Sequence, residues 1–154
     1  MVALAKTFVL DAVVVQGASM EPTLRPGDYV LMEKITPHLG LLRPGQIVVL
    51  AAETPSALIV KRIVALGGDQ VQMRAGEVLV NGEPGPAEDR TTPDYYDWGP
   101  TVVPEGQLFV LGDNRPRSDD SKDFGPVPAA NVKGHVIAGP WHWESVVHAA
   151  EPPQ

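Results

Sequence analysis

Helix interiors are closed to most of this chain, because 16 prolines and 15 glycines are spread through its 154 residues. Proline removes a backbone donor and collides with the preceding turn, and glycine costs about 1 kcal/mol in a helix interior. Between them lie apolar runs rich in valine and isoleucine. These are FVLDAVVVQ (8–16), YVLMEKI (29–35), IVVLAA (47–52), ALIVKRIVAL (57–66), QLFVLGDN (107–114) and HVIAGPWHW (135–143). Runs of this kind, bounded by Gly and Pro, read as strands. The chain is expected to be mainly β, with one modest core and no internal repeat or long amphipathic helix.

The run 57–66 is apolar without alternation, which predicts a strand buried on both faces. A loop is expected at 36–46. VQMRAGEVLVNGEP predicts a hairpin with turns at Ala75-Gly76 and Asn81-Gly82. Residues 83–100 are rich in Pro, acidic residues and aromatics, and are expected to form an irregular surface excursion. The expected organisation is a discontinuous β core of 1–68 and 109–143. Residues 69–108 form an inserted β-ribbon cap, and 144–154 a tail.

Several function classes fall away on composition. A formal charge of −7 opposes a nucleic-acid partner, since phosphate binding needs clustered Lys and Arg. The absence of cysteine excludes thiol nucleophiles, disulfides and Cys-ligated zinc. Four histidines (His38, His135, His142, His148) form no HExxH pattern, so no metal or other cofactor is expected. VALAKTFVLDAVVV at the N-terminus carries Lys6 and Asp11 and falls short of the roughly 20 apolar residues of a membrane span. It also lacks the cleavage-site layout of a secretory signal.

Three stretches are chemically conspicuous. In GASMEPTLRPGDYVL (17–31), Ser19 sits in a turn between small residues with little steric cover. In ALIVKRIVAL, alternation places Lys61 on the face of Ile59, Ile63 and Ala65, with Arg62 opposite beside Val60 and Val64. An ammonium on an apolar face is poorly hydrated, which favours the neutral amine and makes it a candidate base. Snorkelling to an edge, or pairing with a carboxylate, is the ordinary alternative. GDNRPRSDDSKDFGPV (112–127) leaves a buried strand with a dense set of polar groups, which a solvated turn also explains.

In this order and spacing, SMEPTL (19–24), GDYVLMEK (27–34), RPGQIVVL (43–50), KRIVALGGD (61–69) and GDNRPRSDDSKDFGPV resemble the motifs of bacterial type I signal peptidases. Gln46 stands where that family often has Asp, and Gly67 where it has Pro or Gly. The resemblance spans residues 8–143. It implies an antiparallel β-sheet or barrel catalytic core with an inserted hairpin subdomain. It also implies a serine endopeptidase that removes signal peptides from exported preproteins after Ala-x-Ala sites.

On the same basis Ser19 is the nucleophile, Lys61 the general base and Ser118 the hydroxyl that holds the lysine amine. Asp120 is a structural carboxylate, and Arg62 with Asp113 an architectural salt bridge. Some relatives carry Ser or Thr two residues before the nucleophile as an oxyanion donor. This chain has Gly17, and a lost donor of that kind costs about 3–4 kcal/mol. Val13, Val15, Met20, Leu24, Val30, Val49, Ile59 and Val60 match positions lining shallow pockets for alanine-sized groups.

The family carries transmembrane helices upstream, whereas almost nothing precedes Phe8 here. The implied setting is the cell membrane, with the catalytic domain on the extracytoplasmic face and the N-terminal anchor missing or truncated in this chain. Trp98 and Trp141 to Trp143 could meet the membrane surface or pack in the core. Two other classes stay open: an inactive adaptor of the same fold, and a self-cleaving repressor with the same dyad. The latter lacks any visible helix-turn-helix.

Overall fold

The computed structural model describes residues 9–52 and 57–141. Eleven strands lie there: β1 (Leu10–Val14), β2 (Tyr29–Glu33), β3 (Ile47–Ala51), β4 (Leu58–Leu66), β5 (Gln70–Arg74), β6 (Glu77–Val80), β7 (Glu83–Pro84), β8 (Trp98–Val102), β9 (Gln107–Leu111), β10 (Val127–Pro128) and β11 (Val132–Trp141). The α-helices among the described residues are single turns, α1 (Ile35–His38) and α2 (Ser121–Phe124). None is long and apolar enough to cross a membrane. The mainly β class is therefore correct.

Seven strands form one antiparallel sheet in the order β1-β2-β11-β3-β4-β9-β10, which curls into a half-barrel. Among the described residues it does not close, so β1 and β10 are its edges. A second sheet, β7-β6-β5-β8, lies between β4 and β9 in sequence. Its two tight turns fall where expected. Ala75-Gly76 has φ of 51° and 86°, and Asn81-Gly82 has 53° and 84°. Left-handed backbone at both central residues matches the right-handed twist of the flanking strands.

Buried side chains fall into three clusters. Val15, Met20, Leu24 and Val30 form one, with Val13, Ile47, Val60 and Val136 against it. Val48, Leu50, Ile63, Leu108 and Val110 belong to a second, with Ile59 packed beside them. The third joins the two sheets, setting Val64, Ala65, Phe109 and Leu111 against Val71, Met73 and Val78.

Residues 61–65 of β4 are buried without interruption, as its composition predicts. The expected grouping of Ala65 with Lys61 is wrong, however. A register shift against β9 between Ile63 and Ala65 interrupts the alternation, and Ala65 joins Val64 in the third cluster.

Local order exceeds the expectation at three places. β8 begins inside the segment read as irregular, because Trp98 stacks on Phe109 with ring centroids 5.5 Å apart. Trp98 thus packs against the core, while Trp141 is 43% exposed. α1 replaces part of the expected loop, its first N–H groups donating to the Glu33 carboxylate from Ile35 (2.6 Å) and Thr36 (2.9 Å). α2 forms within 112–127, where Asp120 and Asp123 complete a capping box. Residues 1–8, the 142–143 end of the last expected strand and the 144–154 tail lie outside the described residues.

Candidate active site

Each functional stretch reaches the site on a different element. Ser19 lies in the turn between β1 and β2, Lys61 in the middle of β4, and Ser118 in the loop after β9. Lys61 pairs in register with Val48, so its stem shares a face with the second apolar cluster. It is only 4% exposed, and its amine donates to Ser118 Oγ at 2.8 Å. Burial pushes the Lys61 pKa below its ordinary value of 10.5, and Lys122 pushes the same way. The Asp120, Asp119 and Asp123 carboxylates oppose this without reversing it.

The Ser19 turn is clamped by the GDN segment. Asn114 donates its backbone N–H to the Ser19 carbonyl (2.9 Å) and its side-chain amide to the Ala18 carbonyl (3.0 Å). Thr23, four residues after Ser19, donates to Asp113 Oδ2 at 2.5 Å. Asp113 in turn accepts two bonds from Arg62, at 2.8 Å from Nε and 2.7 Å from Nη2. Arg62 Nη1 also donates to the Gly45 carbonyl. The serine turn, the last loop and the lysine strand are therefore one bonded unit. Arg62 and Asp113 form a buried ion pair at its centre.

Gly112 is the point of closest approach. A Cβ there would fall on Ser118 Oγ and the Ser19 carbonyl oxygen, and 2.6 Å from Ser118 Cβ. Only glycine lets these groups converge. Asp120 reinforces the corner by accepting the Gly112 N–H at 2.9 Å. Lys122 donates to the Ser118 carbonyl and pairs with Asp120 at 3.3 Å. Gly112→Ala is expected to cost about 1–3 kcal/mol, because the colliding atoms include backbone. Thermal melting and turnover of the purified variant check this, with turnover falling further than folded fraction.

No hydrogen bond joins Lys61 Nζ to Ser19 Oγ among the described residues; Lys61 is bonded to Ser118, whose Oγ crowds Gly112 together with the Ser19 carbonyl. The Ser19 N–H likewise has no acceptor there. Gly17 is exposed, with φ of 77° and nothing within 4 Å of a would-be Cβ. There is thus room for a side chain at position 17, but the left-handed backbone favours glycine.

Six of the eight candidate pocket residues assemble in one cluster: Val13, Val15, Met20, Leu24, Val30 and Val60. Val15, Met20, Leu24 and Val30 are at most 3% exposed and form its buried interior. Val13 and Val60 are half-buried and pack against it. Val49, the register partner of Val60, is fully buried on the same face. Ile59 points to the opposite face and packs with the second cluster. Its separation from Val60 is the simple outcome of strand alternation.

Sequence reasoning assigned no role to Thr23, Gly112 or Asn114. All three lie inside the motifs it singled out. The contacts that tie them across the site, Thr23 to Asp113 and Gly112 and Asn114 to the 18–19 turn, cross about 90 residues of chain, so no local pattern could pair them.

The family described as "Signal peptidase, peptidase S26" matches residues 1–141. A signal peptidase I of Leptolyngbya laminosa is 36% identical, the match covering 96% of this chain and 77% of that protein. The mitochondrial inner membrane protease subunit 1 of Xenopus tropicalis is 31% identical, covering 95% and 78%. A crystal structure of a signal peptidase I from Enterococcus faecalis V583 aligns with a TM-score of 0.52 at 30% identity, covering 63% of this chain and 97% of that one.

Proposed function

Since the chain belongs to the signal peptidase family, serine endopeptidases that remove signal peptides from preproteins, we propose that Ser19 is its nucleophile and Lys61 the base that activates it. The observation that carries this reading is the buried Lys61 amine, depressed in pKa and held by Ser118. A neutral amine accepts the Ser19 proton while Oγ attacks the scissile carbonyl carbon. The resulting ammonium protonates the leaving amine as the peptide bond breaks. Lys61, neutral again, then activates the water that hydrolyses the Ser19 ester. The missing Ser19–Lys61 hydrogen bond fits a free enzyme, where such contacts are long and tighten when substrate arrives.

The Ser19 N–H, without an acceptor, is the oxyanion donor in this reading, and Gly17 adds no side-chain donor. Ser118 aims the Lys61 amine, and Asp120 holds the loop that carries Ser118. The Arg62–Asp113 pair fixes β4 against the Ser19 turn. Extended substrate adds along open strand edges. β1 is the sheet edge, and β4 pairs with β9 only from Arg62 onward, leaving 58–61 open on that side. Val13 and Val60 then receive small side chains at the first and third positions before the cut, over the floor of Val15, Met20, Leu24 and Val30.

The 69–108 segment is read as a cap inserted into the catalytic core. The exposed Trp141 on β11 and Val14 on β1 both pair with Tyr29, and together they support contact with a membrane surface; the catalytic domain is assigned to the extracytoplasmic side because its substrates are exported preproteins. The test is cleavage of a preprotein with an Ala-x-Ala site. Ser19→Ala is expected to lose at least about 10³-fold in kcat. Undiminished cleavage by that variant would falsify the assignment.

A further inference from the structure

A cavity of about 450 Å³ opens on the Lys61 face of β4, lined by Leu50, Ile59, Phe124, Val127, Asn131 and one carboxylate, Asp119. Ile59 precedes Lys61 by two residues on that face, and Asp119 directly follows Ser118, so the cavity is lined by close sequence neighbours of both groups that hold the reacting proton. Among the described residues Asp119 makes no hydrogen bond or ion pair. Its neighbours Asp120 and Asp123 are both engaged with Lys122. The volume suits one or two side chains.

Alternation decides which part of a substrate reaches it. In an extended peptide, side chains before the cut at positions one and three face one way. The residue after the cut faces the other. The apolar cluster against which Val13 and Val60 pack lies on one face of β4, and this cavity lies on the other. The leaving amine must also approach Lys61 and Ser118 to be protonated, which brings the first residue of the released chain beside Asp119.

We propose that this cavity is the subsite for the first residue after the cut, and that Asp119 makes it select a basic side chain over an acidic one. This rests on the Ser19–Lys61 reading above. The aliphatic stem of a Lys or Arg lies along Ile59 and Phe124, with its charged head at the Asp119 carboxylate. Asp119 is exposed, so attraction for lysine and repulsion of glutamate together give about a fivefold difference in kcat/KM.

The experiment uses the full chain and matched Ala-x-Ala peptides with Lys, Gln or Glu at the first position after the cut. A second set places the same residues at the second position before it. The wild type is expected to cleave the Lys peptide about fivefold better than the Glu peptide in the first set, and the ratio to collapse to near one in Asp119→Asn. Asp119→Lys should invert it. Any general change in base strength cancels in the ratio. A flat wild-type series, a ratio unchanged in Asp119→Asn, or charge selection confined to the second set overturns the proposal. Cleavage of the Gln peptide that survives Ser19→Ala marks instead a failure of the dyad reading.

Discussion

Lys61→Met is expected to abolish turnover while leaving the protein folded. Methionine keeps most of the stem that packs beside Val48 and Ile59 but cannot accept a proton. General-base catalysis contributes about 10²–10⁴-fold, so kcat should fall by at least roughly 10³ once the serine also loses its partner. Stability should change little. The variant loses a hydrogen bond to Ser118, about 1 kcal/mol, but no longer desolvates an amine on an apolar face.

The pH dependence separates these terms. Burial lowers the folded-state pKa of Lys61 below 10.5, so the unfolded chain binds the proton more tightly. Stability therefore rises as pH climbs from the folded value to the unfolded one, and is lost again as pH falls back through the folded value. Lys61→Met removes that slope. Wild-type kcat/KM should rise along an ascending limb at the same folded pKa, because only the neutral amine is a base. Urea unfolding across the alkaline range and a pH–rate profile measure both. A limb near the unshifted lysine value would contradict a desolvated base.

Asp113→Ala is expected to cause the largest loss of stability, about 3–5 kcal/mol. Asp113 is fully buried and serves Arg62 and Thr23 at once. Its removal strands a guanidinium that is 5% exposed, and an unpaired buried charge is far more costly than the pair was favourable. Total stability of a domain this size is about 5–15 kcal/mol, so the variant should be poorly folded at 37 °C. Removing both charges, as Arg62→Met with Asp113→Leu, should restore much of the stability, since apolar replacement of a buried pair is often neutral. Turnover should stay low in the double variant, because Thr23 no longer ties the Ser19 turn to the last loop. A loss under 1 kcal/mol for Asp113→Ala, read by urea midpoint, would remove the pair from the centre of the site.

Much of this was legible in the chain itself. Gly and Pro spacing with β-branched runs determined a mainly β protein, because these residues restrict backbone angles whatever surrounds them. The Ala75-Gly76 and Asn81-Gly82 turns were determined the same way, since each is set by two adjacent residues. Lys61 was visible as a charge in an apolar strand, and the motif order identified the family. Tertiary structure decided the rest. Only folding set Thr23 on Asp113 and Asn114 on the Ser19 turn, because such contacts depend on where distant backbones cross. Only strand pairing decided that Ala65 leaves Lys61's face at the β9 register shift. A chain states which groups it carries. Register, burial and close approach at Gly112 decide which of them meet.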